Sequence, residues 1–465
     1  MDSEKRAKRQ SIRIIVSELF MVVAVIITVA ILALVVSGYW LNSDFKVERQ
    51  GLLQISSIPT GADVEIDGNS SWLQRTNTSK VLSSGLHKIV LTKDGYDSWS
   101  REIKISEGLL YRVHYPRLFL NDREKETIYS APATTFATVS PNHNFLLLVN
   151  KTTEWELINL DSEKQNIKKI DVGSVFPNVS MANGATAGLF TGEIISADWD
   201  ANNEHILFQI KDNEKTTWTL LNINNIENSV DLTKEFNADF TRVKIFDNSA
   251  SKLLAVTGGN LHRIDVNGRQ ISSVLVEDIQ DFDFYDDEIF FSAAKSSNSY
   301  YVGISKINDN KITEFLETKI PAEVAISKFY DDKYLVVLLD NVVTLYKKDD
   351  FVEVLSRALE FLPKNIKVGG DGEFFNMSID KQIASLDMEA MNIREWEVSS
   401  SNFGWLDGSM IYSVKDGELT VYDFDGLNAR NLSKNVSERL PVTITSNKWL
   451  YYFSDDNLIR ELITR

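Results

Sequence analysis

The stretch that decides the fold is residues 136–160, FATVSPNHNFLLLVNKTTEWELINL. Phe136-Ala137-Thr138-Val139 is a short strand-like run. Ser140-Pro141-Asn142-His143-Asn144 follows it with turn chemistry, since proline presets φ and asparagine tolerates the left-handed region. Phe145 to Val149 is then apolar at every position, and Trp155 to Leu160 is a third strand-like run. An unbroken apolar run of the length of Phe145–Val149 reads as a strand buried on both faces. The stretch therefore predicts a three-strand antiparallel meander whose middle strand is sandwiched.

The same order returns downstream. Middle strands recur at Ile206–Ile210, Leu253–Thr257, Ile289–Ser292, Tyr334–Leu339, Glu373–Met377, Met410–Val414 and Leu450–Phe453. Each has a shorter run before it, for example Val243–Phe246 and Phe282–Tyr285 in the third and fourth copies. The spacing is roughly 36–58 residues, mostly near 40, the period of four-stranded propeller blades. The count is eight, with seven as the nearest alternative. The last copy lacks an outer strand, and Thr127-Ile128-Tyr129-Ser130 precedes the first. This predicts that 127–130 pairs beside Leu458–Leu462 and closes a ring, because an open ring would leave unpaired edges. The Ser140–Asn144 turn resembles the Ser-Pro-Asp-Gly turn of TolB-like and WD40-like propeller repeats. Later copies keep only the shape, as in Tyr330-Asp331-Asp332-Lys333 and Leu406-Asp407-Gly408-Ser409. The resemblance implies a β-propeller over 121–465.

Upstream, residues 51–120 carry a different pattern. Leu52–Ser56, Ala62–Ile66, His87–Leu91, Arg101–Ile105 and Tyr111–Tyr115 read as about five strands, with turn signals at Asp67-Gly68 and Lys93-Asp94-Gly95. Pro59-Thr60-Gly61-Ala62, with Ser57 before it, Val64 and Ile66 after it, then Asp67-Gly68, Gly85-Leu86-His87 and Lys93-Asp94-Gly95-Tyr96, resembles the PEGA domain, with threonine in place of glutamate. The chain departs from the pattern at Thr76-Asn77, where the family has Thr-Pro. The resemblance implies a small β-sandwich-like extracytoplasmic module without catalytic residues.

From Leu19 to Leu41 no residue is charged, and Leu19 to Val36 is broken only by Thr28. A helix of about 20 apolar residues spans a hydrocarbon core of about 30 Å. Lys5, Arg6, Lys8, Arg9 and Arg13 precede the run and Tyr39-Trp40 closes it. The positive-inside rule and the aromatic belt then put residues 1–18 in the cytoplasm, a transmembrane helix at 19–41, a stalk at 42–50 and the remainder outside. A cleaved leader would have a shorter apolar region of about 7–15 residues, although Val36-Ser37-Gly38 offers a small-residue cleavage site.

The net charge of −17 over 465 residues belongs wholly to the part beyond this basic leader. An acidic surface of that size repels phosphate backbones, so nucleic acid is not an expected partner. With no cysteine, disulfides and thiolate chemistry are excluded. For an exported protein this favours a bacterial envelope.

The search for chemistry returns structural readings. His87, His114, His143, His205 and His262 show no metal-ligand spacing. Gly369-Gly370-Asp371-Gly372 lacks the Lys-Ser/Thr of a phosphate loop, and Asp423-Phe424-Asp425-Gly426 lacks the later glutamate of a calcium loop. Asp286-Asp287, Asp331-Asp332 and Asp455-Asp456 read as solvated turns between the first two strands of a repeat. Trp155, Trp199, Trp218 and Trp405 read as core, while Trp72 and Trp99 are candidates for an aromatic sugar platform. No catalytic, cofactor or metal residue is assigned. The expectation is an all-β ectodomain behind one membrane helix, binding a protein, peptide or surface glycan. The alternative is a carbohydrate-active enzyme with its site at the propeller mouth.

Overall fold

The computed structural model describes residues 18–33, 39–41, 47–161, 166–176, 179–180, 189–212, 215–369 and 372–465. The chain divides into two units, 1–121 and 122–465.

In the first unit, residues 18–33 form a helix whose side chains are all exposed. Thr28 Oγ1 donates to the Ala24 carbonyl at 2.8 Å, so its hydroxyl is satisfied within the helix. At 1.5 Å per residue this segment is roughly 24 Å long. Among the described residues no helix is long and apolar enough to cross a membrane. Residues 1–17 and 34–38 lie outside the described residues. The expected helix to Leu41 is corrected at its end: Tyr39–Leu41 is a strand, with Tyr39 opposite Arg49 and Leu41 opposite Val47. The stalk at 42–50 is corrected likewise, because Val47–Gln50 opens the strand Val47–Ile55. This pairing gives partners to backbone groups that a free stalk would leave to water.

The PEGA-like stretch forms two four-stranded sheets. One places Val47–Ile55 between Thr78–Ser83, antiparallel, and Leu110–Val113, parallel. The other runs Asn69–Arg75, Asp63–Ile66, Gly85–Thr92, Trp99–Ile105. Leu53, Ile55, Val64, Ile89, Leu91, Trp99, Ile103 and Ile105 are buried, alternate residues of their strands. Asp67 (φ 52°) and Gly68 (φ 78°) make the tight turn between Ile66 and Asn69, as two-residue hairpins require. Asp67 also accepts from His87 Nδ1 at 2.6 Å and from the Lys88 amide at 2.8 Å. The hydrogen bond from His87 holds the Asp67 carboxyl below its ordinary 3.8. A lowered carboxyl contributes stability that is present above its unfolded value and is lost as pH falls through the folded one. Asp67→Asn is therefore expected to unfold more easily than wild type above about pH 4. That gap should close under stronger acid, as read by thermal unfolding across pH.

The second unit is propeller-like. Eight four-stranded antiparallel sheets follow one another along the described chain. Their first strands are Thr134–Val139, Glu193–Trp199, Phe240–Ile245, Ile279–Tyr285, Glu323–Phe329, Asn365–Gly369, Phe403–Trp405 and Thr443–Thr445. The second strands are the most apolar of each sheet because their two faces serve different neighbours. Leu147 and Val149 pack with Phe208 of the second sheet, while Leu146 and Leu148 pack with Tyr451 and Phe453 of the eighth. Leu253 and Ala255 face the second sheet, Leu254 and Val256 the fourth. Each such side chain gains about 1.5–3 kcal/mol on burial.

The eighth sheet is completed by Lys125–Ser130, which pairs antiparallel with Asn457–Leu462 as the sequence predicts. It is tied to the first sheet by Tyr451 Oη donating to the Leu160 carbonyl at 2.7 Å and Thr445 Oγ1 donating to the His143 carbonyl at 2.7 Å.

Candidate functional site

First strands of neighbouring sheets lie against one another. In the first four sheets the ladder between first and second strands slips by one residue, at Thr134/Phe136, Ile194/Ser196, Phe240/Arg242 and Ile279/Asp281. Such bulges bend a strand and re-aim the side chains beyond them. Beyond the slip in the third and fourth sheets come Arg242, Lys244, Asp281 and Asp283, spaced by two and so on one face of each strand.

These four form a ladder. Arg242 ion-pairs with Asp281. Lys244 Nζ pairs with Asp283 Oδ1 at 3.1 Å and donates to the Phe282 carbonyl at 3.0 Å. The remaining carboxylate oxygens accept from the fifth sheet: Val324 N donates to Asp281 Oδ2 at 2.8 Å, and Ile326 N to Asp283 Oδ2 at 3.1 Å. Two cations, two carboxylates and two backbone amides thus link three successive first strands. A cavity of about 640 Å³ opens beside the ladder, lined also by Glu323 and Lys364. Burial, then the Asp281 charge, pushes the Glu323 carboxyl up against the opposing pull of Arg242. Burial also pushes Asp198, on the first strand of the second sheet, upward against the pull of Lys244 and Lys367. The Asp198 carboxyl thus feels the charges of Lys244 from the third sheet and Lys367 from the sixth.

Glycoside hydrolysis needs a protonated carboxyl and an ionised one free to attack or to activate water. Glu323 is raised, but its charged neighbour Asp281 has both oxygens engaged. Among the described residues no three His, Asp or Glu side chains converge to hold a metal ion.

The histidines are distributed over separate local networks. His87 binds Asp67 and the Ser83 carbonyl. His143, at φ 59°, reaches Thr443 Oγ1 at 2.7 Å. His262 meets the Ser272 carbonyl at 3.0 Å, and His114 lies edge-on to Tyr115. His205 lines a cavity of about 1,210 Å³ at the second and third sheets. Its Nδ1 is 2.8 Å from the buried Asp200 and its Nε2 is 2.9 Å from Asn222 Nδ2. Both ring nitrogens of His205 are thus engaged by side chains of its own sheet.

The aspartate pairs are turn residues, with one correction. Asp286-Asp287 and Asp331-Asp332 lie at the junction of first and second strands, but Asp455-Asp456 joins the second to the third. Asp423 to Gly426 is a turn in which the Asp423 carbonyl accepts from the Gly426 amide at 2.9 Å. Gly370 and Asp371 lie outside the described residues. Trp99 is corrected as a sugar platform: it is wholly buried, edge-on to Tyr115 at 6.1 Å. The Trp72 side chain lies outside the described part. Trp155 and Trp218 are core, and Trp199 Nε1 donates to Thr138 Oγ1 at 3.0 Å.

The sequence reading did not single out Arg242, Lys244, Asp281, Asp283 or Glu323. Alternate charges at the starts of first strands were the available signal.

Residues 50–117 match the model of the PEGA domain family. No curated protein matches the chain. Among solved structures, the chain is similar to an oligogalacturonate lyase in complex with manganese, at 14% identity and TM-score 0.38, covering 58% of this chain and 88% of that one. It is similar to the computationally designed Ika8 protein, at 8% identity and TM-score 0.43, covering 72% and 98%. It is also similar to Hsv2 of Kluyveromyces lactis, at 10% identity and TM-score 0.42, covering 66% and 99%. The propeller-like description rests on the chain's own strand order and registers.

Proposed function

We propose that this chain is an anchored binding protein of the bacterial envelope. The apolar N-terminal segment holds it in the membrane with the basic leader inside. The PEGA-like unit and the acidic remainder lie outside. The eight sheets act as eight blades of a closed propeller whose inner wall receives a protein, peptide or glycan partner.

The observation that carries this reading is the saturated ladder of the inner wall. Its aspartates are spent on Arg242, Lys244 and two backbone amides, which favours a rigid, preorganised surface over an acid–base pair. Beside it, Lys364 and Lys367 have no ion-pair partner among the described residues and remain available to a ligand. The enzyme reading is the weaker one, because Asp281, the carboxylate that acts on Glu323 among the described residues, has both oxygens engaged.

The test is a photoreactive residue at Gln280, which lines the cavity, introduced into the full chain in its own cells. The expected result is a discrete adduct, reduced at least about fivefold by Lys364→Glu with Lys367→Glu. No adduct, or one indifferent to the double reversal, contradicts the proposal.

A further inference from the structure

A second cavity, of about 310 Å³, lies between the sixth and seventh sheets. It meets the larger one along the strand Asn365–Gly369, and Asn365 lines both. Its two walls differ in kind. One is polar and belongs to the sixth sheet: Asn365 stands opposite Ser378 in the ladder and Lys367 opposite Asn376, so all four share one face. The other is aromatic and belongs to the seventh: Phe403 and Trp405. Trp405 lies close against the sixth sheet, since a Cβ placed on Gly369 would come within 2.5 Å of its ring.

One residue of the cavity wall carries a polar atom that the fold leaves unpaired. Asn376 is only 5% exposed, and its side-chain carbonyl oxygen Oδ1 has no hydrogen-bond partner. Buried acceptors are almost always paired, and an unpaired one carries its desolvation cost uncompensated. An amide left unpaired in the wall of such a cavity gains a partner when a ligand draws it round to meet a donor. Cavities of about 300 Å³ and above, with few polar groups and an apolar wall, suit a small ligand.

The chemistry that matches both walls is a pyranose ring. Its C–H face is apolar and weakly positive, complementary to the negative face of an aromatic ring. Its hydroxyls both donate and accept, as amides and serine hydroxyls require. Lys367 and Asp380 flank the site with opposite signs, so no net charge is demanded of the ligand. We infer that this cavity is a subsite for a neutral pyranose residue of a glycan, with Asn376 Oδ1 accepting from a sugar hydroxyl and Trp405 and Phe403 forming the apolar wall. This rests on the binding reading above and names the ligand class for it.

The experiment uses the full-length protein in mild detergent, titrated calorimetrically with cellotetraose, mannotetraose, galactotetraose and N-acetylchitotetraose. At least one should bind the wild type. Asn376→Leu should weaken that binding at least tenfold while leaving the unfolding temperature equal or higher, because it removes an orphaned carbonyl. Ser378→Ala, at a half-exposed position, should weaken binding severalfold with the fold intact. The inference is overturned if none of the four binds, if Asn376→Leu binds as wild type does, or if it lowers the unfolding temperature, which would show the amide to be satisfied within the protein. A persisting Gln280 adduct beside a negative sugar titration would remove the pyranose subsite and leave the binding reading standing.

Discussion

Replacing Glu461 by alanine should destabilise the second unit by about 3–5 kcal/mol, the usual cost of removing one partner from a buried ion pair. Glu461 is wholly buried on the closing sheet. Its Oε1 accepts from Arg123 Nε at 2.6 Å. Its Oε2 accepts from Ser433 Oγ at 2.7 Å and Tyr452 Oη at 3.1 Å, with Lys125 Nζ at 3.3 Å. Arg123 in turn donates to the Leu432 carbonyl at 2.6 Å. One carboxylate therefore joins the strand Lys125–Ser130, the strand Asn457–Leu462 and the seventh sheet. Alanine would leave the Arg123 charge without its carboxylate and take from Ser433 and Tyr452 the acceptor they share, in a low-dielectric site. Glu461→Gln, which keeps the shape and loses the charge, should fall between. Denaturant unfolding measures the difference, and hydrogen exchange should show the loss first in 125–130 and 457–462.

Trp155→Ala should cost about as much, 3–5 kcal/mol for a large aromatic taken from a packed core. Trp155 is wholly buried, and its ring lies 4.8 Å from Phe176, 5.4 Å from Phe190 and 5.5 Å from Phe208. Its indole nitrogen donates to the Thr152 carbonyl at 3.1 Å. Phe176 and Phe190 lie between the first and second sheets in sequence, so this indole also fixes part of the connection. The substitution should shift the unfolding transition and speed exchange in the first two sheets while the fifth and sixth keep their protection.

The second strands of the sheets were legible because burial on both faces leaves a nearly continuous apolar run, as at Phe145–Val149 inside Phe145–Asn150. The fourth strands were not. Val352–Ala358 is exposed at all but one position, and Asn166–Asp171 is buried at one. Such strands are held by the ladder rather than by a core, so composition carries little trace of them. The same applies to Asn69–Arg75 and Thr78–Ser83 in the PEGA-like unit, where the sequence predicts about five strands and the sheets contain more.

The candidate site was hidden for a related reason. Reading the third and fourth copies from Val243 and Phe282 begins each strand one residue past Arg242 and Asp281, because the polar residues at the register slip separate the buried first residue, Phe240 or Ile279, from the rest of its strand. The structure begins them at Phe240 and Ile279. No pattern could show that Asn376 would be buried with an unpaired carbonyl, since that depends on the packing of the seventh sheet against the sixth.

Everything proposed for the partner depends on the acidic bulk standing outside the cell on its apolar segment. Intact cells treated with protease, followed by alkaline extraction of the membranes, test this together. An epitope at the C-terminus is expected to be cleaved from intact cells, and uncleaved protein to stay in the membrane until detergent releases it. An epitope that survives until the cells are broken, or a full-length chain released by alkali alone, would contradict that placement.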